Sequence, residues 1–211
     1  FLGASRIVKT TTMRMLCGLS CPTSGSGTVA GYDIARQAEE IKRHIGYMSQ
    51  KFSLYGDLTV SENLTLFSTV YGMSDKDIRL KSDMIFKTLE MEEMKNCLVK
   101  DIPVGWKQKL AFSAATMHAP DVVFLDEPTG GVDPVTRRKF WELIYQASSQ
   151  GITIFVTTHY LDEAEYCNRI SIMVDGRIKA LDSPENLKKE YASGTMDEVF
   201  RIVAKDAKRG D

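Results

Sequence analysis

Val122-Val123-Phe124-Leu125-Asp126-Glu127-Pro128-Thr129 is the stretch whose reading decides the architecture. Four apolar residues in an unbroken run mark a strand buried on both faces, the habit of a parallel sheet covered by helices. Asp126 and Glu127 then fall at the carboxyl end of that strand, where open α/β sheets gather their ligands.

Working downstream, residues 134–150 read as a helix with Pro134 in its first turn and Gly151 just past its end. Residues 152–157 form a second buried apolar run, His159 ends it, and another helix is expected from near Leu161. Asp175-Gly176 joins strands 170–174 and 177–181 as a type I′ hairpin signal. Ser183-Pro184 and Thr195-x-x-Glu198 each open a terminal helix.

Upstream, a helix is predicted over residues 9–19, entered from a loop at 3–8 and broken by the Pro-, Ser- and Gly-rich residues 20–27. A strand at 28–32, a helix at 39–44 and a strand at 45–49, followed by Gln50, complete the first part. Thr59-Val60-Ser61-Glu62 has capping-box spacing before an amphipathic run, and helices at 74–91 and 106–118 follow. The order is α/β with a mostly helical insert at 59–118 between strand-bearing segments 1–58 and 119–211. Phe1-Leu2-Gly3 reads as the end of a strand, so N-terminal strands are expected to be missing from the chain.

The 211 residues, 43% hydrophobic and 26% charged, suffice for a sizeable core. A formal net charge of -1 offers no electrostatic reason to expect a nucleic-acid partner. Four scattered cysteines make no disulfide framework, and Cys17 and Cys21 have no matching Cys or His pair for zinc, so a reducing compartment is expected. No apolar run approaches the ~20 residues that span a bilayer, and no signal peptide is visible. Any membrane role is therefore expected to come through a partner chain.

The chemistry-bearing residues lie at strand ends. Gly3-Ala4-Ser5-Arg6-Ile7-Val8-Lys9-Thr10 has Gly3, Lys9 and Thr10 in register with the phosphate-loop pattern G-x-x-x-x-G-K-[ST], but Val8 stands where the second Gly belongs. In that pattern backbone amides cradle phosphates, the Lys neutralises their charge and the hydroxyl binds Mg²⁺. A β-branched residue is costly there if positive φ is required, and a plain strand–loop–helix would read similarly. At the buried strand end, Asp126 suits Mg²⁺ and Glu127 suits polarising an attacking water. Gln50 and His159 each end a strand, and alone each would pass as an ordinary polar residue. Gly105 would let helix amides approach a phosphate, or merely cap the helix.

Taken in order, Phe1-Leu2-Gly3 with Lys9-Thr10-Thr11-Thr12, Gln50, residues 122–129, Gly131-Val132-Asp133-Pro134 and Thr158-His159 resemble the ATP-binding subunits of ABC transporters over essentially the whole chain. The wording of Tyr47-Met48-Ser49-Gln50 and of residues 157–164 is similar to subunits that drive ABC-2-type exporters. The resemblance implies a P-loop NTPase core with a helical subdomain, binding ATP and Mg²⁺ at the cytoplasmic face of the membrane. It implies that Gly3, Lys9, Thr10, Thr11, Gln50, Gly105 and Asp133 contact nucleotide and that Thr10, Gln50 and Asp126 hold the metal. Glu127 and His159 would be catalytic. Implied partners are a transmembrane permease subunit, with Phe52, Leu54 and Tyr55 in its docking groove, and a second nucleotide-binding domain, identical or different.

Two departures matter. The family loop usually reads G-P-N-G-A-G-K-T, whereas Ser5-Arg6-Ile7-Val8 replaces its glycine-rich centre here. The family's L-S-G-G-Q signature appears as Ile102-Pro103-Val104-Gly105-Trp106, a variant similar to some export-type members. Three functions stay open: an active exporter ATPase, a subunit with impaired hydrolysis beside an intact sister domain, and a soluble ABC-type ATPase acting on nucleic acid or ribosomes. The third usually carries two motor domains or a long coiled-coil insertion, and neither is visible.

Overall fold

The computed structural model describes residues 2–3, 6–51 and 53–209, without the side chains of residues 3, 6–8 and 206–209. Phe1, Ala4, Ser5 and Phe52, which carry parts of the expectations above, lie outside the described residues. Three parallel strands form the centre: β4 (Ile45–Met48), β5 (Val122–Asp126) and β6 (Thr153–Thr157), in that order. Short β1 (Leu2–Gly3) runs parallel to β7 (Ile170–Val174), which pairs antiparallel with β8 (Arg177–Asp182). A parallel bridge from Leu2 to Thr158 links the two groups of strands. Asp175 and Gly176 take φ of 48° and 78°, the left-handed pair that the type I′ signal requires.

Two local readings change. The strand expected at 28–32 is a hairpin of β2 (Thr28–Val29) and β3 (Tyr32–Asp33), turned at Ala30-Gly31 with φ of 51° and 83°. The first helix, α1 (Arg6–Leu16), starts three residues earlier than predicted and ends three earlier. Arg, Ile and Val do not take positive φ cheaply, so they adopt helical dihedrals where glycines would have curled. Lys9 thus becomes the fourth helical residue rather than the first.

α2 (Ala38–His44) leads directly into β4. α3 (Val60–Val70) opens with the expected capping box: the Thr59 hydroxyl accepts from the Glu62 amide, and Glu62 accepts from the Thr59 amide. α4 (Asp75–Thr88) and α5 (Val104–Thr116) follow, and the three helices share a core that includes Leu64, Ile78, Phe86, Leu110 and Met117. α5 also turns Ala111, Phe112 and Ala115 toward β4 and β5, which explains why residues 110–115 are buried all round. Gly46 on β4 permits this seating, since a Cβ there would stand 1.9 Å from the Ala115 carbonyl oxygen.

α6 (Pro134–Ser149) covers β5 and β6 with Phe140, Trp141 and Ile144. The helix expected from Leu161 is only a 3-10 turn at Glu163–Tyr166. α7 (Pro184–Glu190) and α8 (Met196–Arg209) close on β7 and β8 through Leu187, Met196, Val199 and Val203. Among the described residues, no helix is long and apolar enough to cross a membrane.

Candidate functional site

Parallel register brings the strand ends together. Asp126 stands opposite Thr157 in the β5–β6 ladder, so the residues that follow each strand emerge side by side. Glu127 continues the ladder by donating its amide to the Thr157 carbonyl at 3.0 Å and to the Thr157 hydroxyl at 3.2 Å. Its φ is +49°, a conformation unfavourable for a residue with a side chain and found disproportionately at functional sites. The turn closes through the Gly130 amide, which donates to the Glu127 carbonyl at 3.1 Å.

Three polar side chains from three elements meet the Glu127 carboxylate. Lys9, on α1, places Nζ 3.5 Å from Oε1 and donates to the Thr158 carbonyl at 3.3 Å. Gln50, just after β4, donates Nε2 to Oε2 at 2.9 Å. His159, after β6, has Nδ1 3.3 Å from the same oxygen. Lys9 and Glu127 are 2% and 6% exposed, so an ammonium and a carboxylate are held almost out of water, affordable only because they face one another. His159 is half exposed, at the mouth of the cluster.

Asp126 is buried beside them, and its Oδ1 accepts from the Thr157 hydroxyl at 2.7 Å. Thr10 and Thr11 follow Lys9 on α1, Thr10 half-buried and Thr11 exposed, and Gly3 ends β1 opposite Met173. The expected residues Gly105 and Asp133 stand apart from this cluster within the chain. Gly105 lies in the first turn of α5 against Thr136, where an added Cβ would come within 3.0 Å of the threonine methyl. Asp133 caps α6, accepting from the Val135 and Thr136 amides at 3.0 Å each. Its carboxyl is held below the usual range, first by the Thr136 hydroxyl.

Reading the sequence quoted Thr129, Thr157, Thr158 and Glu163 within longer stretches but gave none of them a role, and the fold brings all four in. All four are buried, and Glu163 accepts hydrogen bonds from both the Thr129 and Thr158 hydroxyls. The only signal in the sequence was the Thr157-Thr158 pair beside His159, since nothing local connects Glu163 to Thr129.

Of the residues expected near the docking groove, Leu54 lines a cavity of about 750 Å³ between α2, α3, α5 and β4. Phe67, Val70 and Tyr71 share that lining, whereas Tyr55 is exposed outside it.

The chain is 43% identical over 204 residues to the probable multidrug ABC transporter ATP-binding protein YbhF of Escherichia coli (strain K12). That match covers 94% of this chain and 35% of YbhF, so the chain spans about a third of that relative's length. Among solved structures, the ATP binding subunit of an ABC transporter superposes with a TM-score of 0.84 at 26% identity, covering 96% of this chain and 85% of that one. The dimeric cassette MJ0796, in a post-hydrolysis state bound to ADP and Pi, superposes with a TM-score of 0.75 at 26% identity, covering 86% and 83%. The family model described as ABC transporter matches residues 1–130, more than half of the chain, and with the strand-end cluster in place the chain belongs to the ABC transporter family.

Proposed function

We propose that this chain is the ATP-binding and hydrolysing motor domain of an ABC-type exporter, acting at the cytoplasmic face of a membrane through a permease partner. The observation that carries the reading is the convergence of Lys9, Gln50 and His159 on Glu127, beside Asp126 at the ends of parallel strands.

When the triphosphate of ATP enters, it offers the Lys9 ammonium a denser negative charge than Glu127 does, and Lys9 turns to the β and γ oxygens. With Lys9 turned away, Glu127 Oε1 accepts a proton from a water aligned on the γ-phosphorus. His159 reaches the γ-phosphate from the mouth of the site. The donors at hand, the Thr10 hydroxyl, the Gln50 amide oxygen and the Asp126 carboxylate, are hard oxygens of the kind Mg²⁺ prefers. Bound there, Mg²⁺ would draw off charge from the phosphate oxygens.

Gly105 and Asp133, remote from the cluster in one chain, suit contact with the nucleotide of a second nucleotide-binding domain. MJ0796 itself is described as dimeric. The groove lined by Leu54, Phe67, Val70 and Tyr71 suits the permease subunit. Leu54→Asp with Val70→Asp should reduce recovery of the chain with membranes, and unchanged recovery would count against that docking site. A net charge of -1 gives no electrostatic reason to expect nucleic acid as a partner.

A second reading, nucleotide binding with impaired hydrolysis, is favoured by one observation: α1 begins at Arg6, where the family's loop would still be curling around phosphate. Mg-ATP binding and turnover by the full-length protein, beside an Arg6→Gly/Val8→Gly version, decides between the two. Turnover by the unaltered protein upholds the motor. Turnover only after the glycines return makes this chain the silent member of a pair.

A further inference from the structure

Behind the Glu127 cluster lies a second ionic group that the hydrolytic scheme does not use. Glu163 is 0% exposed. Its Oε1 accepts from the Thr129 hydroxyl and lies 3.6 Å from Arg137 Nε, while its Oε2 accepts from the Thr158 hydroxyl at 2.5 Å. Arg137, on α6, also pairs with Asp162 at 3.2 Å and sets its guanidinium 4.1 Å over the Tyr160 ring. Thr158 and Tyr160 are the two neighbours of His159, so each flank of that histidine is gripped by one half of the Glu163–Arg137 pair. Thr129 lies two residues beyond Glu127, in the turn that sets the Glu127 backbone. The carbonyl of Thr158 receives Lys9 as well.

A buried ion pair is poor value for stability alone, because apolar residues of equal volume commonly hold a core at least as well. What this one does is tie two strand-end turns, joined at Thr129 and Thr158, to a single carboxylate and to the first turn of α6. We infer that Glu163, held by Arg137, is a positioning residue for ATP hydrolysis: it sets the spacing between Glu127 and His159. The inference rests on the assignment of those two residues to the reacting site.

The test is steady-state ATP hydrolysis by the full-length protein carrying Glu163→Ala, Glu163→Gln, Thr158→Val or Glu127→Gln. Glu163→Ala should lower kcat roughly 10- to 100-fold, the scale expected when reacting groups shift by about an ångström, with KM for Mg-ATP unchanged. Glu163→Gln should recover most of the rate, because its amide can accept from one threonine and donate to the other. Thr158→Val keeps the volume and loses only the hydroxyl, so it should lower kcat in the same sense; it decides the matter if Glu163→Ala does not fold. Parent kcat in Glu163→Ala or Thr158→Val, with Glu127→Gln inactive, overturns this inference alone. An equal loss in Glu163→Gln and Glu163→Ala that tracks the folded fraction also overturns it, leaving a purely structural pair. Activity surviving Glu127→Gln overturns the assignment of the site and the inference together.

Discussion

Glu127, the base in the proposed mechanism, has a strained backbone of the kind that gathers at functional sites. At φ +49° it would be more comfortable as glycine, yet three polar groups are aimed at its carboxylate. Glu127→Gln keeps the shape and removes the base, so turnover should fall about 10²- to 10⁴-fold while Mg-ATP is still bound, read by hydrolysis and binding on the same sample. His118 shows the opposite logic, a titratable group kept neutral. Burial, more than Lys81, lowers its pKa to about 4, against the raising effect of the Ile45 carbonyl it meets at 3.1 Å. Between pH 6.5 and about 4 the unfolded chain then binds a proton that the folded one refuses. Stability should therefore decline as pH falls through that window, by about 1–2 kcal/mol once partial exposure is allowed for. Urea midpoints at pH 7 and 4.5 should separate for the parent and draw closer for His118→Gln.

At the scale of elements, what was local was legible. The capping box at Thr59, the Pro134 helix start and the Asp175-Gly176 hairpin all act within four residues, and each stands where its residues put it. The misses have physical causes. Residues 28–32 hide a turn because Ala30, which carries φ of 51°, is not a residue type that announces a left-handed bend. The stretch after Leu161 tightens to a 3-10 turn at Glu163–Tyr166, with Glu163 drawn into a buried network. Strand β4 depends on the absence of a side chain at Gly46. Gly46→Ala would drive a methyl into the Ala115 carbonyl and lift α5 from the sheet, costing at least about 1–3 kcal/mol, measurable as a lower denaturant midpoint.

Across the whole molecule, burial sorts residues that the sequence treats alike. Cys17 is buried under β4 and β5, its thiol pushed up to about 12 by burial and then by Asp126, and burial also raises Cys167. Cys21 and Cys97 are exposed. A thiol-specific reagent on the native protein should therefore modify Cys21 and Cys97 quickly, half-buried Cys167 more slowly and Cys17 only on unfolding. Four fast thiols would mean that the packing of α1 on β5 and of the turn after β6 is looser than described.

Sequence alone determined the alternation of strand and helix, the helical insert, and the residue types that gather at strand ends, because periodicity, caps and turns act over a few residues. Tertiary structure decided which of them touch. Lys9 finds Glu127 across 118 positions and Glu163 finds Thr129 across 34, contacts that no local pattern encodes. It also withheld Gly105 and Asp133 from the cluster, since each is spent at the start of its own helix. The reason is geometric: a parallel sheet aligns the carboxyl ends of distant strands, and only once that alignment exists can buried charges find the partners that make their burial tolerable.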